Sequence, residues 1–359
     1  MITDALPVQG IFFEMMLALT NIKWYYETAD KVKRLEDGMD ETSLKFEKII
    51  DGMKLPIAVV GTNSWGSAAY GKVLRGESVD TETIRKCYER AKEKGLMIFD
   101  LAQDYGLGKA QKMIGEFGCG DVVISSKFTP VGAYKEGQVR KSLEKDLQDF
   151  KRSYVDIYWL HLPSDIEKNL IEIITLVKEG KIKHVGISNF TLDECKRSKR
   201  ILDDVGIPLY GVQNHYSLIN REWEKNGLVE WCKENGIQFW AWAVLEEGML
   251  TDPRVKTKMS LMKLIFNGKK RKLHSLYVLM NKVGKRHDLK IPQVAMAFCA
   301  TKGIVPICGC RKPYQIDDLA TAVNTRLTDK EIKLLEDEAD KLNVRILGAD
   351  MFRFAVKKN

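Results

Sequence analysis

Long apolar runs are the first thing this chain lacks. Its most apolar early stretch, residues 10–22 (GIFFEMMLALTNI), is too short to span a bilayer and is interrupted by Glu14. That stretch predicts an amphipathic helix docked on a globular body, with contact to a membrane surface as the alternative. The first ten residues carry Asp4 and no basic side chain, so no secretory signal is expected. No low-complexity tract or flexible linker divides the 359 residues. The seven cysteines are odd in number and lie mostly within apolar stretches, as reduced thiols of a cytoplasmic protein do. Cys308-Gly-Cys310 is one residue short of the usual ligand spacing and has no matching pair. There is also no His-x-x-x-His and no cluster of carboxylates, so no metal is expected. The formal net charge of +8 is dispersed apart from one clump, Lys269–Lys272, which argues against nucleic acid as a partner and is compatible with an anionic small molecule. Gly66-Ser-Ala-Ala-Tyr-Gly71-Lys72 has the spacing of a phosphate-binding loop, but Val73 stands where a hydroxyl must hold Mg²⁺. Gly106-Leu-Gly108 lacks the third glycine of a dinucleotide fingerprint.

What is present is a soluble composition, 45% hydrophobic and 30% charged, arranged as an alternation. From residue 57, short β-rich runs alternate with longer segments of helical period, the pattern of α/β folds with a parallel sheet. The strand-like runs are 57–62, 96–102, 122–127, 155–161, 183–188, 210–215, 238–245 and 304–309. Eight of them predict closure into a (β/α)₈ TIM barrel. The intervening segments carry helix punctuation: Asp80 before and Gly95 after the first, and Thr328 with Glu331 as a capping box on the last. Segments 138–150, 166–180, 191–206 and 221–236 follow the same grammar, and a further helix is expected to begin near Pro313. This predicts an N-terminal helical extension over 1–55, a barrel over 56–345 and a C-terminal tail over 346–359. The connection 249–291 is overlong, as ligand-holding loops often are.

Polar residues end several of the apolar runs. Asp100 closes MIFD, Tyr105 follows it, Lys127 closes VVISSK and His161 closes VDIYWLH. In a parallel barrel these ends converge on the C-terminal face, where active sites of this fold are built. Taken singly, each has an ordinary alternative: a helix cap, a rim aromatic, a solvated strand-end charge, a satisfied core histidine. Gathered at one mouth, they form a set able to deliver a proton to a carbonyl.

FDLAQDYG (99–106) resembles the aldo-keto reductase superfamily, whose second strand ends in an FDTA-x-x-YG pattern. GTNSWG (61–66), VDIYWLH (155–161), KEGKIKHVGISNF (178–190), VQNHYS (212–217) and VLEEGML (244–250) resemble further motifs of that family, in the same order. The resemblance implies reduction of an aldehyde or ketone with NADPH, the substrate being a small-molecule carbonyl compound. It casts Tyr105 as the proton donor, Lys127 and His161 as the neighbours that lower its pKa, and Asp100 as the partner of Lys127. A free phenol has a pKa near ~10, so such help is needed. The resemblance assigns Ser188, Asn189 and Gln213 to the nicotinamide carboxamide and Trp242 to stacking. Leu245 and Gly248 fall to the pyrophosphate, Gly309, Arg311 and Lys312 to the phosphate end, Gln315 and Asp318 to the adenine. Trp240 shares strand parity with Trp242, so the residues alone leave open which of the two packs in the barrel wall. Trp65 is expected to line the substrate pocket. Leu319 stands where the family has Asn and Leu101 where it has Thr. Two readings compete with catalysis by this family: an NADP(H)-binding barrel acting as a redox sensor or scaffold subunit, and an unrelated barrel enzyme such as an isomerase or lyase. The expected assembly is a monomer or small homo-oligomer.

Overall fold

The computed structural model describes residues 47–50, 53–56, 58–66, 72, 77–254 and 272–344. The segment 10–22, the tail 346–359 and the middle of the long connection, 255–271, lie outside the described residues. The chain divides into two compact units, Met1–Lys54 and Leu55–Asn359. Within the stretch expected to be helical over 1–55, β1 (Glu47–Ile50) is a strand, and it pairs with β2 (Met53–Pro56) in a two-stranded sheet. In the sequence they are separated by Asp51-Gly52, a dipeptide favoured between paired strands, within a stretch whose mixed charge reads as helix.

Eight parallel strands close in chain order into a barrel: β3 (Val59–Gly61), β4 (Ile98–Asp100), β5 (Val123–Phe128), β6 (Val155–Leu160), β7 (Ile182–Ser188), β8 (Leu209–His215), β9 (Gln238–Trp242) and β10 (Val305–Gly309), which returns to pair with β3. β5 and β6 are buried along their whole length, as strands covered on both faces must be. Every strand-like run of the sequence overlaps its strand, though β5 runs one residue further than read and β7 and β8 each begin one residue earlier. The seventh, read to Leu245, stops at Trp242 because Ala243 turns to φ 59°.

The described helices are α1 (Thr81–Glu93), α2 (Ala110–Phe117), α3 (Gln138–Phe150), α4 (Ile166–Lys178), α5 (Leu192–Asp203), α6 (Glu222–Lys225), α7 (Leu228–Glu234), α8 (His274–His287) and α9 (Ile291–Thr301), with α10 (Pro313–Val323) and α11 (Asp329–Leu342) following β10. The Asp80 carboxylate accepts from the Thr83 amide at 2.7 Å at the head of α1. Thr191 and Thr328 close reciprocal capping boxes with Glu194 and Glu331. The segment 221–236 is two helices, because Gly227 takes φ 85° and ends the first. Part of the long connection after β9 is helical: α8 falls within it.

The barrel interior is plugged by Trp159 of β6. Its indole packs on Trp240 at a centroid distance of 5.0 Å and lies against Gly186 of β7 and Gly211 of β8. A Cβ on Gly186 would fall 2.2 Å from the ring, so a glycine is required there. The Trp159 Nε1–H donates to Ser125 Oγ at 2.8 Å, and that hydroxyl donates in turn to Asp100 Oδ1 at 3.0 Å. The core filler therefore also braces a carboxylate at the mouth.

Candidate active site

β4 and β5 are adjacent, and their register sets Asp100 beside Ser125. Side chains alternate along a strand, so Ser125 and Lys127 point to one face, into the barrel. Lys127 is fully buried; its Nζ donates to Asp100 Oδ2 at 2.5 Å, to the Leu101 carbonyl at 2.9 Å and to the Tyr105 hydroxyl at 3.2 Å. The same ammonium lies 4.7 Å from the centroid of the Tyr105 ring. Burial pulls the Lys127 pKa below the ordinary lysine range, while the Asp100 charge and hydrogen bond oppose that pull.

Tyr105 opens a one-turn 3₁₀ helix after β4, and the residues behind it, Gly106, Leu107 and Gly108, all take positive φ. This sharp reversal presents the phenol to the mouth. The His161 ring meets it edge-on, with centroids 6.4 Å apart. Burial, with the Lys127 charge as a second cause, pushes the His161 pKa down to about 3, so the imidazole is neutral near pH 7. Its Nδ1 lies 2.7 Å from Thr129 Oγ1. The structure thus brings together all four residues, Asp100, Tyr105, Lys127 and His161. Because the His161 ring is neutral, the positive charge beside the phenol is that of Lys127.

Ser188, Asn189 and Gln213 meet on the neighbouring arc. Ser188 Oγ donates to the Gln213 carbonyl at 2.8 Å, and Asn189 Nδ2 donates to the His161 carbonyl at 3.0 Å and to Ser188 Oγ at 3.1 Å. Gln213 Nε2 donates to Asp100 Oδ1 at 3.1 Å, joining this arc to the first cluster. Asn189 sits at φ 66°, a conformation asparagine tolerates better than most residues. Of the two tryptophans on β9, Trp240 is completely buried and packs in the barrel. Trp242 is half-buried at the mouth, stacks on His215 at 4.5 Å and donates to Asn189 Oδ1 at 3.1 Å.

Leu245 and Gly248 lie in the tight turn after β9, where the Gly248 amide donates to the Leu245 carbonyl at 2.9 Å. Gly248, at φ 89°, shapes this turn. Glu246 anchors it: the buried carboxylate takes the His215 Nε2 at 2.9 Å and the Ser217 hydroxyl. That anchor is not apparent in the sequence, where Glu246 reads as an ordinary loop charge.

Gly309 is exposed at the end of an otherwise buried β10, and a Cβ there would meet nothing closer than Asn63 Oδ1 at 4.0 Å. Arg311 and Lys312 follow, at the head of α10. Gln315 Oε1 accepts from their amides at 2.8 and 3.1 Å and so caps the helix. Asp318 accepts from Lys290 at 2.8 Å and Gln293 at 3.1 Å, which ties α10 to the start of α9. Leu319 is fully buried, which accounts for an apolar residue at that position. A pair of cations at a helix N-terminus beside an open glycine is a donor set that fits an anionic nucleotide phosphate. A carboxylate already sits on it, from Glu77 to Lys312 Nζ at 3.0 Å.

Trp65 is a correction. It is fully buried between Phe99 and Phe117, and its Nε1–H donates to the Cys310 carbonyl at 2.7 Å. It packs the first loop against the end of β10, with none of its surface open to a substrate. Among the described residues, no group of three His, Cys, Asp or Glu side chains could hold a metal, and no helix is long and apolar enough to cross a membrane.

The chain is 26% identical to the chloroplastic pyridoxal reductase of Arabidopsis thaliana over 303 residues, covering 77% of this chain and 81% of that one. It is 25% identical to an aldo-keto reductase of Gibberella moniliformis, covering 82% and 95%. In structure it resembles an aldo/keto reductase from Klebsiella pneumoniae solved in complex with NADP and acetate, with a TM-score of 0.64, 21% identity and coverage of 82% and 94%. The sequence model of the aldo/keto reductase family matches residues 59–340, a span that takes in the barrel, the Asp100–Tyr105–Lys127–His161 cluster and the head of α10. The chain belongs to the aldo/keto reductase family.

Proposed function

We propose that this protein reduces an aldehyde or ketone to the alcohol with NADP(H) as cofactor. The observation that carries the reading is the Tyr105 hydroxyl 3.2 Å from a buried, ion-paired lysine. Lys127 donates to the phenolic oxygen and so favours the phenolate, which makes the Tyr105 proton easier to give. A unit charge at ~4 Å and an effective dielectric of ~20 supplies up to about 4 kcal/mol, or ~3 pK units at most. Asp100 holds the ammonium in place, and Ser125 and Gln213 hold Asp100. The neutral His161 has Nδ1 against Thr129, which leaves Nε2 to hydrogen-bond the carbonyl oxygen and orient it toward Tyr105. As the oxygen gains electron density, the Tyr105 proton moves onto it and the resulting phenolate is stabilised by Lys127.

When bound, the reduced nicotinamide supplies the hydride to the carbonyl carbon. Ser188, Asn189 and Gln213 would hold its carboxamide and Trp242 its ring; the turn of Leu245 and Gly248 would face the pyrophosphate. Gly309, Arg311 and Lys312 would take the phosphate end, with Gln315 and Asp318 near the adenine. A relative named as a pyridoxal reductase and a family structure solved with NADP both support a nicotinamide-dependent carbonyl chemistry. The seven cysteines are all buried, which supports a reducing, cytoplasmic setting.

The test is NADPH consumption across a panel of aldehydes, quinones and ketosteroids. Wild-type protein should turn over at least one class, and Tyr105→Phe should lower that rate by ~10²-fold or more while leaving NADPH affinity unchanged. A Tyr105→Phe rate near wild type would remove Tyr105 from the chemistry.

A further inference from the structure

The cations at the head of α10 carry an anion from elsewhere in the chain. Both carboxylate oxygens of Glu77 lie against Lys312 Nζ, at 3.0 and 3.1 Å, and the Glu77 backbone carbonyl accepts from the Arg311 guanidinium at 2.9 Å. The contact spans 235 residues of sequence and follows from the closure of the barrel. α1 and α10 flank the β3–β10 seam and are joined by Arg90 to Asp317 at 2.7 Å and Lys94 to Asp317 at 3.8 Å. Glu77 lies three residues ahead of the α1 N-cap, Asp80, so that pairing delivers it to the start of α10.

Taking this end as the adenosine-phosphate seat of the function proposed above, we infer that Glu77 is a specificity-determining residue for the cofactor. Its carboxylate competes with a ribose 2′-phosphate for Lys312. It is also a hydrogen-bond acceptor suited to a free 2′-hydroxyl, the role acidic residues play in NAD-selective sites of other folds. A 2′-phosphate entering here must displace Glu77 or sit beside its charge, whereas a 2′-hydroxyl meets neither obstacle. The pair Glu77–Lys312 therefore narrows the preference for NADPH over NADH that Arg311 and Lys312 alone would create. Both side chains are about one-third exposed, so solvent screening holds the effect to a modest size.

Calorimetric titration of the full chain with adenosine 2′,5′-bisphosphate and with adenosine 5′-monophosphate reads this seat without any turnover. Glu77→Gln should bind the bisphosphate about five- to tenfold more tightly, the scale of one charge-assisted contact at a partly exposed site, and the monophosphate with unchanged affinity. Glu77→Ala should reproduce the gain, and in a Lys312→Ala background most of the gain from Glu77→Gln should be lost. An unchanged bisphosphate affinity, an equal gain for the monophosphate, or a full gain without Lys312 would overturn the inference. A selective gain in a protein that consumes no NADPH with any carbonyl compound would overturn the reductase reading and leave the role of Glu77 standing.

Discussion

Thr129 Oγ1 stands 2.7 Å from His161 Nδ1, one residue beyond the end of β5 and 32 positions from its partner. The proposed chemistry needs the imidazole proton on Nε2, the tautomer in which the Thr129 hydroxyl donates to Nδ1. Thr129→Val keeps the side-chain volume and removes the donor, so the tautomer is no longer set from this side. Losing a buried hydrogen bond of this kind costs ~1–2 kcal/mol, and kcat should fall about tenfold with Thr129→Ser restoring it. Nitrogen chemical shifts of the imidazole should show the Nε2–H form losing population in Thr129→Val. Unaltered shifts together with an unaltered kcat would show that Thr129 only packs against the ring.

The neutral state of His161 has a consequence for stability. The folded chain holds its pKa at about 3, against 6.5 for an unperturbed histidine. Below pH 6.5 the unfolded chain takes up a proton that the folded chain refuses, so acid favours unfolding. The stability linked to this residue is complete above pH 6.5 and is lost progressively as the pH falls toward 3. Urea midpoints for wild type and His161→Asn at about pH 7 and about pH 4.5 isolate this residue from the carboxylates common to both proteins. Wild type should lose about 2–3 kcal/mol more than the variant over that interval. Parallel losses in the two proteins would mean that His161 charges in place.

The barrel was legible in the sequence because a parallel sheet covered on both faces reads as unbroken apolar runs. Polar residues such as Asp100, Lys127 and His161 stand out where those runs end. Side chains whose meaning depends on a remote partner were not legible in the same way. Trp65 reads as a loop aromatic until its indole is found on the carbonyl of Cys310, 245 residues away. Thr129 and Glu77 are ordinary polar residues of loops until closure of the barrel sets one on His161 and the other on Lys312. Glu246 is similar: only the fold carries it inward to His215. Asp51-Gly52 is the opposite case, a local hairpin signal beside β1 and β2 in a stretch whose charge pattern reads as helix.

Backbone geometry at two neighbouring glycines offers a test of how firmly Tyr105 must be held. Both take positive φ, 58° at Gly106 and 76° at Gly108, so alanine is strained at either position. They differ in what surrounds them. A Cβ on Gly106 would fall 1.8 Å from the Trp65 carbonyl oxygen, whereas one on Gly108 would meet nothing closer than the Gln103 carbonyl at 3.5 Å. The Trp65 backbone cannot easily yield, because its side chain is buried and hydrogen-bonded to Cys310. In Gly106→Ala the turn must move, and Tyr105, the preceding residue, moves with it away from Lys127. Gly108→Ala should cost about 1 kcal/mol from strain alone and keep most of the activity. Gly106→Ala should cost about 2–4 kcal/mol and lower kcat toward the level of Tyr105→Phe, since the proton donor is displaced though still present. Urea denaturation and single-turnover oxidation of NADPH separate the two effects. If Gly106→Ala retains wild-type turnover, the 3.2 Å approach of Tyr105 to Lys127 is not what the reaction needs.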